Sequence, residues 1–289
     1  MPKRAHDDAI FTISFDQATA LRQLVDVVQP VLTRACFTVK PSGKDGVLTL
    51  CVDTIDPSHM CMVQAKLECY GTLKSASHQF TIDSKMVQTC LKNVSSHHAV
   101  ELSAREGSAD LFLVSFDMLT KQKDLAFELP TYEETAERLE IETIEYDATT
   151  EVDLGSFKRI LKLGADLEAE NMTLVVYEAP AKEGVKGFRI DAAGKGTASF
   201  RRSLMGAKSE LDGSAATVDV SDATGMAEVC SSSFKIGFLG KFVKAMEQST
   251  IEMRLGKNGA PMLLHYALGV PGSFVRFVVA SNCEFPDDE

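Results

Sequence analysis

The sequence predicts an α+β protein built from two similar domains, each an antiparallel sheet with two helices. Three observations lead to this prediction. An acidic stretch divides the 289-residue chain near its middle, the two halves repeat one order of elements, and most segments alternate apolar and polar residues as short strands do. Many short strands with two helices per half are typical of antiparallel sheets covered by helices on one face.

Each half opens with a strand and then a helix. The first half has a strand pattern over 11–15 and a helix pattern over 18–36, and the second has a strand over 151–154 and a helix over 155–163. In the first helix the apolar residues recur at helical spacing at Leu21, Leu24, Val25, Val28 and Leu32. Pro30 falls inside this pattern, where proline should bend or break a helix.

Both halves then continue with several strands, a second helix and closing strands. The first half has strands over 47–52, 61–69 and 80–82, a helix over 84–94, and strands over 99–104 and 111–116. The second half has strands over 172–177, 187–192 and 198–204, a helix over 233–246, and strands over 250–255, 261–268 and 273–280. This shared order favours an internal repeat.

The acidic stretch sets the domain boundaries. It opens after Pro130, and nine acidic residues and one basic residue lie between Thr131 and Asp153. The sequence therefore predicts an extension, a first domain, a connector, a second domain and an acidic tail, over 1–10, 11–130, 131–147, 148–281 and 282–289.

The composition excludes several classes of protein. A hydrophobic content of 45% suits packed cores, and 25% charged residues with 7% aromatics exclude disordered and collagen-like chains. No apolar run approaches the roughly 20 residues of a membrane-spanning helix, and the first residues lack the apolar core of a secretory signal. Seven cysteines without C-x-x-C spacing indicate neither a disulfide framework nor a zinc site. We expect an intracellular protein without a metal or cofactor.

The charges are separated along the chain. The formal net charge is −11, but the connector and the tail hold most of the acidic excess. The helix patterns are basic instead, with Lys158, Arg159 and Lys162 in one and Lys241 and Lys244 in another. Cations on one helix face suit the phosphates of a polyanion. On any single helix such cations usually mark only a solvated face, and their repetition on several helices in both halves is what favours binding.

Four segments together resemble the eukaryotic and archaeal sliding clamps, the proliferating cell nuclear antigen family. Asp56-Pro-Ser-His-Met-Cys-Met-Val-Gln64 resembles a conserved turn and strand of that family, and Leu139-Glu-Ile-Glu-Thr-Ile-Glu-Tyr146 resembles its interdomain connector. Phe238-Leu-Gly-Lys-Phe-Val-Lys-Ala245 is similar to its last helix, and Pro261-Met-Leu-Leu-His-Tyr266 is similar to the strand that follows. The resemblance extends over residues 11–280.

The resemblance implies a DNA polymerase processivity factor. Members of the family form closed rings of three two-domain subunits, whose helices line a channel around duplex DNA. The channel cations would be Arg22, Lys85, Lys92, Lys158, Arg159, Lys162, Lys241 and Lys244. Gln23 and Gln29 stand where the family often has lysine, so the first helix is less basic than usual.

Two further sites follow from the resemblance alone. A pocket that docks short peptides of polymerases, ligases, nucleases and the clamp loader would be lined by Ile55, His59, Met60, Leu139, Ile141, Pro261, Val278 and Ala280. The subunit interface would pair edge strands over 124–129 and 197–204, with Asp124 and Glu128 facing Arg201 and Arg202.

Rival interpretations remain open at this point. A subunit of a heterotrimeric clamp, of the checkpoint type or a divergent replication type, would share the fold and the channel. An enzyme is disfavoured because no nucleophile, base and orienting acid come together in the sequence. The resemblance implies a homotrimer that works in the nucleus, or in a viral replication compartment if a virus encodes it.

Overall fold

The structure is a computed structural model that describes residues 8–133, 144–178, 186–193, 199–206, 227–257 and 259–282. The described residues form sixteen strands and four helices, and they fall into two compact units. The first unit takes its residues from Met1–Leu139 and Ala267–Arg276, and the second from Glu140–Tyr266 and Phe277–Glu289. The domain boundaries inferred from the sequence stay a prediction, since part of the connector and most of the tail lie outside the described residues.

The first unit contains eight complete strands and two helices. In chain order they are β1 (Ala9–Phe15), α1 (Ala18–Val28), β2 (Arg34–Pro41), β3 (Val47–Ile55), β4 (Cys61–Leu73), β5 (His78–Asp83), α2 (Ser84–Lys92), β6 (Ala99–Arg105), β7 (Asp110–Phe116) and β8 (Lys123–Pro130). The strands run β8-β7-β6-β1-β4, and the sheet continues from β4 through β3 and β2 to β5. The described pairings within this unit are antiparallel.

The second unit repeats the strand-helix order. It contains β9 (Ala148–Asp153), α3 (Leu154–Asp166), β10 (Asn171–Glu178), β11 (Lys186–Ala193), β12 (Ser199–Gly206), β13 (Ala227–Lys235), α4 (Ile236–Lys244), β14 (Thr250–Leu255) and β15 (Met262–Ala267), and it takes the end of β16 (Phe274–Val279). One sheet runs β12-β11-β10-β13, and β14 pairs with both β9 and β15. The predicted α+β architecture of antiparallel sheets and four helices is confirmed.

Apolar helix faces and sheet faces form the core of each unit. In the first unit the buried ring of Phe80 stacks on Phe11 and on Phe37, with ring centroids 5.4 and 5.7 Å apart. In the second unit Phe242 of α4 stacks on Phe277 at 4.8 Å. Stacked rings at these distances add specificity to the burial of apolar area. The helices pack on strands of their own unit, α1 on β4, α2 on β5, α3 on β9 and α4 on β13, and their polar faces point away from the core.

All four helices differ from their predicted bounds at one or both ends, and two of these differences have a clear physical cause. The first helix ends at Val28 instead of Cys36, because Pro30 cannot continue it and β2 already begins at Arg34. The last helix begins at Ile236 instead of Ser233, because the preceding residues extend β13 and pair with β10. No helix in the described part of the chain is long and apolar enough to cross a membrane.

Candidate nucleic-acid interface

The two helices of the first unit pack side by side and expose few cations. Gln88 of α2 donates to Asp26 of α1 over 2.7 Å, which joins the helices on their polar side. Lys85 and Lys92 of α2 are exposed, and Lys92 also donates to Gln88 over 3.3 Å. The α2 helix contains no acidic residue, so its exposed face is positive.

Arg22 is the only basic residue of α1, and the structure places it against the end of α2. Its guanidinium donates to the carbonyl oxygens of Leu91, over 2.7 Å, and Val94. These carbonyls belong to the C-terminal end of α2, where helix carbonyls lack intrahelical partners and the helix dipole is negative. Arg22 is therefore bound within the unit, and α1 presents no exposed cation.

In the second unit, α3 begins at a well-formed cap and carries two exposed cations. Asp153 accepts a hydrogen bond from the backbone N–H of Ser156 over 2.7 Å. The hydrogen bond from the Ser156 side chain, followed by that from its backbone, lowers the pKa of the Asp153 carboxyl. Arg159 donates to Ser156 Oγ over 3.0 Å, and both Arg159 and Lys162 are exposed.

Lys158 behaves in α3 as Arg22 does in α1. Its ammonium donates to the carbonyl oxygen of Met246 over 2.6 Å and contacts that of Lys244 at 3.4 Å. Both acceptors lie at the C-terminal end of α4. Lys158 is half-buried, whereas Lys241 and Lys244 of α4 are exposed, and Lys241 lies 5.0 Å from the ring centroid of Phe238.

Of the eight predicted channel cations, six are exposed on helices and two are engaged at helix ends. The exposed six are Lys85, Lys92, Arg159, Lys162, Lys241 and Lys244. They stand on regular helices and not on loops, so their spacing is fixed by the fold. Rows of exposed ammonium and guanidinium groups bind phosphate oxygens without reading base edges.

The predicted peptide pocket draws three residues from one turn of the first unit. Asp56 closes the turn between β3 and β4, and its buried carboxylate accepts from the backbone N–H groups of Met60 over 2.8 Å and Cys61 over 2.6 Å. Ser58 donates to the same carboxylate from its backbone and its hydroxyl. His59 is exposed in a left-handed conformation, with φ of 58°. The turn thus presents His59 and Met60 on a fixed backbone.

Sequence reasoning did not assign the organising role to Asp56. Its signal was present, because an aspartate at the start of a turn typically accepts a hydrogen bond from the backbone N–H two residues ahead, as Asp56 does from Ser58. The structure describes three of the five remaining pocket residues. Pro261, Val278 and Ala280 are half-buried in the second unit, while Leu139 and Ile141 lie outside the described residues.

The predicted interface strands are both edge strands in the described part of the chain. β8 ends one sheet and β12 ends the other. Asp124 and Glu128 of β8 are exposed, and Asp124 Oδ2 lies 3.2 Å from His98 Nδ1. Arg201 and Arg202 lie on β12, of which the structure describes the backbone alone, and residues 197 and 198 lie outside the described ranges. Free edges favour pairing with another chain.

Comparison with known proteins finds relatives by sequence and solved structures with a similar fold. No family model matches the chain. It is 24% identical over 277 residues to proliferating cell nuclear antigen of Chaetomium thermophilum, covering 95% of this chain and 98% of the relative.

Two solved structures have the same fold over nearly the whole chain. The crystal structure of proliferating cellular nuclear antigen from Entamoeba histolytica matches with a TM-score of 0.73 and 14% identity, covering 95% of this chain and 100% of that one. The crystal structure of PCNA from Thermococcus kodakaraensis matches with a TM-score of 0.71 and 20% identity, covering 94% and 99%. The resemblance drawn from the sequence is confirmed: the chain is similar to proliferating cell nuclear antigen over nearly its whole length and has the fold of these two structures.

Proposed function

We propose that this protein is a sliding clamp, a ring that encircles duplex DNA and serves as a processivity factor for DNA polymerase. The observation that carries the proposal is the placement of charge on the fold. In an acidic chain, α2 and α4 contain no acidic residue, and with α3 they expose six cations. Full-length similarity to proliferating cell nuclear antigen supports the same conclusion and favours it over a heterotrimeric clamp subunit.

The exposed helix cations would hold the duplex through its phosphates. Contacts to phosphate carry no base information, and they form and break as the counterions around DNA exchange. Such binding is independent of sequence and weak at physiological salt, which lets the ring slide. Retention on DNA would come from ring closure, with no strong site-specific contact needed.

The ring would be a homotrimer closed by edge strands. Pairing β8 of one subunit with β12 of the next would satisfy the backbone groups that each edge leaves open, and Asp124 and Glu128 would face Arg201 and Arg202 across that pairing. A closed ring needs an ATP-dependent loader to enter DNA that has no free end. The proposed place of action is the nucleus.

Partners would dock on the outside of the ring. The turn held by Asp56 presents His59 and Met60, beside which Ile55 is half-buried, and the proposed pocket also includes Leu139, Ile141, Pro261, Val278 and Ala280. An apolar pocket beside an acidic connector suits short basic peptides with apolar anchors, as polymerases, ligases, nucleases and the loader would supply. The protein would tether these enzymes and have no catalytic activity of its own.

Charge reversal tests the proposal. Lys162→Glu with Lys244→Glu should abolish stimulation of a polymerase, because two phosphate contacts become repulsions, while the mass of the oligomer in solution stays the same. The matched control reverses two exposed cations outside the helices, Lys40→Glu with Lys121→Glu, and should keep stimulation. Full stimulation by the helix variant would contradict the proposal.

A further inference from the structure

The two helix pairs share one polar contact at matching positions. Arg22 is the fifth residue of α1, and Lys158 is the fifth residue of α3. Each donates to the carbonyl oxygen of the residue two places beyond the end of the second helix in its own unit, Val94 for Arg22 and Met246 for Lys158. Both acceptor residues are buried. We call this contact the helix tie: it joins Arg22 to the carbonyl oxygen of Val94 in the first unit and Lys158 to that of Met246 in the second.

A cationic side chain is well suited to the C-terminal end of a helix. The last carbonyls of a helix have no intrahelical donor, and the negative end of the helix dipole attracts a cation. Each side chain also contacts a second carbonyl of the same helix end, Leu91 or Lys244. A cation that donates to two carbonyls has fewer N–H groups left to donate to a phosphate.

We propose that Arg22 and Lys158 are positioning residues that fix the second helix of each unit, and that they do not contact DNA. This inference refines the proposed function, on which its DNA part rests. The helix tie holds α2 and α4 against the first helix of their unit, and so sets where Lys85, Lys92, Lys241 and Lys244 stand. The phosphate contacts then come from the six exposed cations alone.

Amine acylation tests the helix tie without DNA. The full chain is treated with a small amine-reactive ester, and the rate at each lysine is followed by mass spectrometry. Lys158 should react about tenfold or more slowly than Lys162 of the same helix, because its ammonium must leave charge-assisted hydrogen bonds before it can react. Equal rates at Lys158 and Lys162 would overturn the helix tie.

Substitutions at Lys158 and Lys162 distinguish a residue that positions a helix from a residue that contacts phosphate. Lys158→Met should lower the melting temperature, and Lys158→Arg should restore it, because a guanidinium makes the same contacts in the first unit. The control Lys162→Met should leave the melting temperature unchanged and make the slope of log affinity for a short duplex against log salt less steep by about 0.9 for each copy of Lys162 that contacts a phosphate. Lys158→Met should change that slope only together with the melting temperature, because it acts through the position of Lys241 and Lys244, and Lys158→Arg should restore both values.

The possible outcomes distinguish this inference from the proposed function. A slope that becomes less steep for Lys158→Met as it does for Lys162→Met, with an unchanged melting temperature, would overturn the positioning role. A chain that binds no duplex at all would overturn the proposed function and the DNA part of this inference, but not the helix tie. Slow acylation of Lys158 would then still support the helix tie.

Discussion

Aspartate side chains define the starts of two helices, α2 and α3, and the turn of the proposed pocket. Asp83 and Asp153 occupy the same position before α2 and α3, and each accepts from the backbone N–H three residues ahead, Met86 over 2.9 Å and Ser156 over 2.7 Å. Asp56 makes the corresponding contacts in the turn after β3. Caps of this kind satisfy donors that the first helical turn leaves open.

Removal of the Asp153 cap should destabilise the second unit. Asp153→Ala should lower the free energy of unfolding by about 1 kcal/mol, measured by urea denaturation at neutral pH. The pKa of Asp153 lies below its unfolded value of about 3.9, so its ionised form contributes stability above that pH, and the contribution is lost as the pH falls through the folded pKa. Asp153→Asn retains an acceptor and should reduce this acid dependence. An unchanged unfolding curve for Asp153→Ala would contradict the capping role.

Gly71 allows the close approach of β4 to β1. Its φ is 154°, and an added Cβ would lie 1.9 Å from the carbonyl oxygen of Thr12. Gly71→Ala should therefore cost about 3 kcal/mol of stability or more, because backbone atoms must move. The control Gly43→Ala has a positive φ of 85° but open space, and should cost only about 1 kcal/mol. If Gly71→Ala and Gly43→Ala lost the same stability in thermal unfolding, the close contact between the added Cβ and the Thr12 carbonyl oxygen would be relieved without strain.

At the scale of elements, periodicity predicted where helices and strands occur better than where they end. The apolar spacing of α1 continues to Leu32 in the sequence, but Pro30 ends the helix two residues after Val28. β13 was missed because Ser231, Ser232 and Ser233 hide the alternation of its buried residues. Its pairing with β10 depends on residues far away in the chain, which no local pattern contains.

The exposed face of α4 contains two glycines that weaken the helix. A Cβ added at Gly237 or Gly240 would meet nothing within 4 Å. Gly237→Ala and Gly240→Ala should each raise the free energy of unfolding by about 0.5–1 kcal/mol, because alanine restricts the unfolded chain. Thermal unfolding of the two single variants checks this. A loss of stability in either would mean that the helix needs glycine there.

The turn between β3 and β4 should depend on Asp56. Asp56→Ala leaves the backbone N–H groups of Ser58, Met60 and Cys61 without this acceptor and should cost about 2 kcal/mol or more. It should also weaken binding of a partner peptide, since His59 and Met60 lose their fixed backbone. The control Ser58→Ala keeps the carboxylate and should have a smaller effect on both measurements. If Asp56→Ala bound the peptide as tightly as the wild type, the assignment of this turn to the pocket would be wrong.

At the scale of the whole molecule, the sequence was enough to predict the α+β class and the basic helix faces. Both follow from local spacing, which the chain displays directly. The engagement of Arg22 and Lys158 was not predictable, because their acceptors lie 69 to 88 residues away along the chain. A charge count on one helix cannot distinguish a cation that faces DNA from one that caps a neighbouring helix.

The most direct test of encirclement compares open and blocked DNA ends. The fluorescently labelled protein is added to a surface-tethered duplex whose far end is either free or capped by a bulky protein, and the salt concentration is then raised. A ring should enter only through the free end, should remain through high salt if that end is capped after entry, and should slide off if it stays open. Equal binding to free and capped duplexes, with release by salt from both, would contradict encirclement.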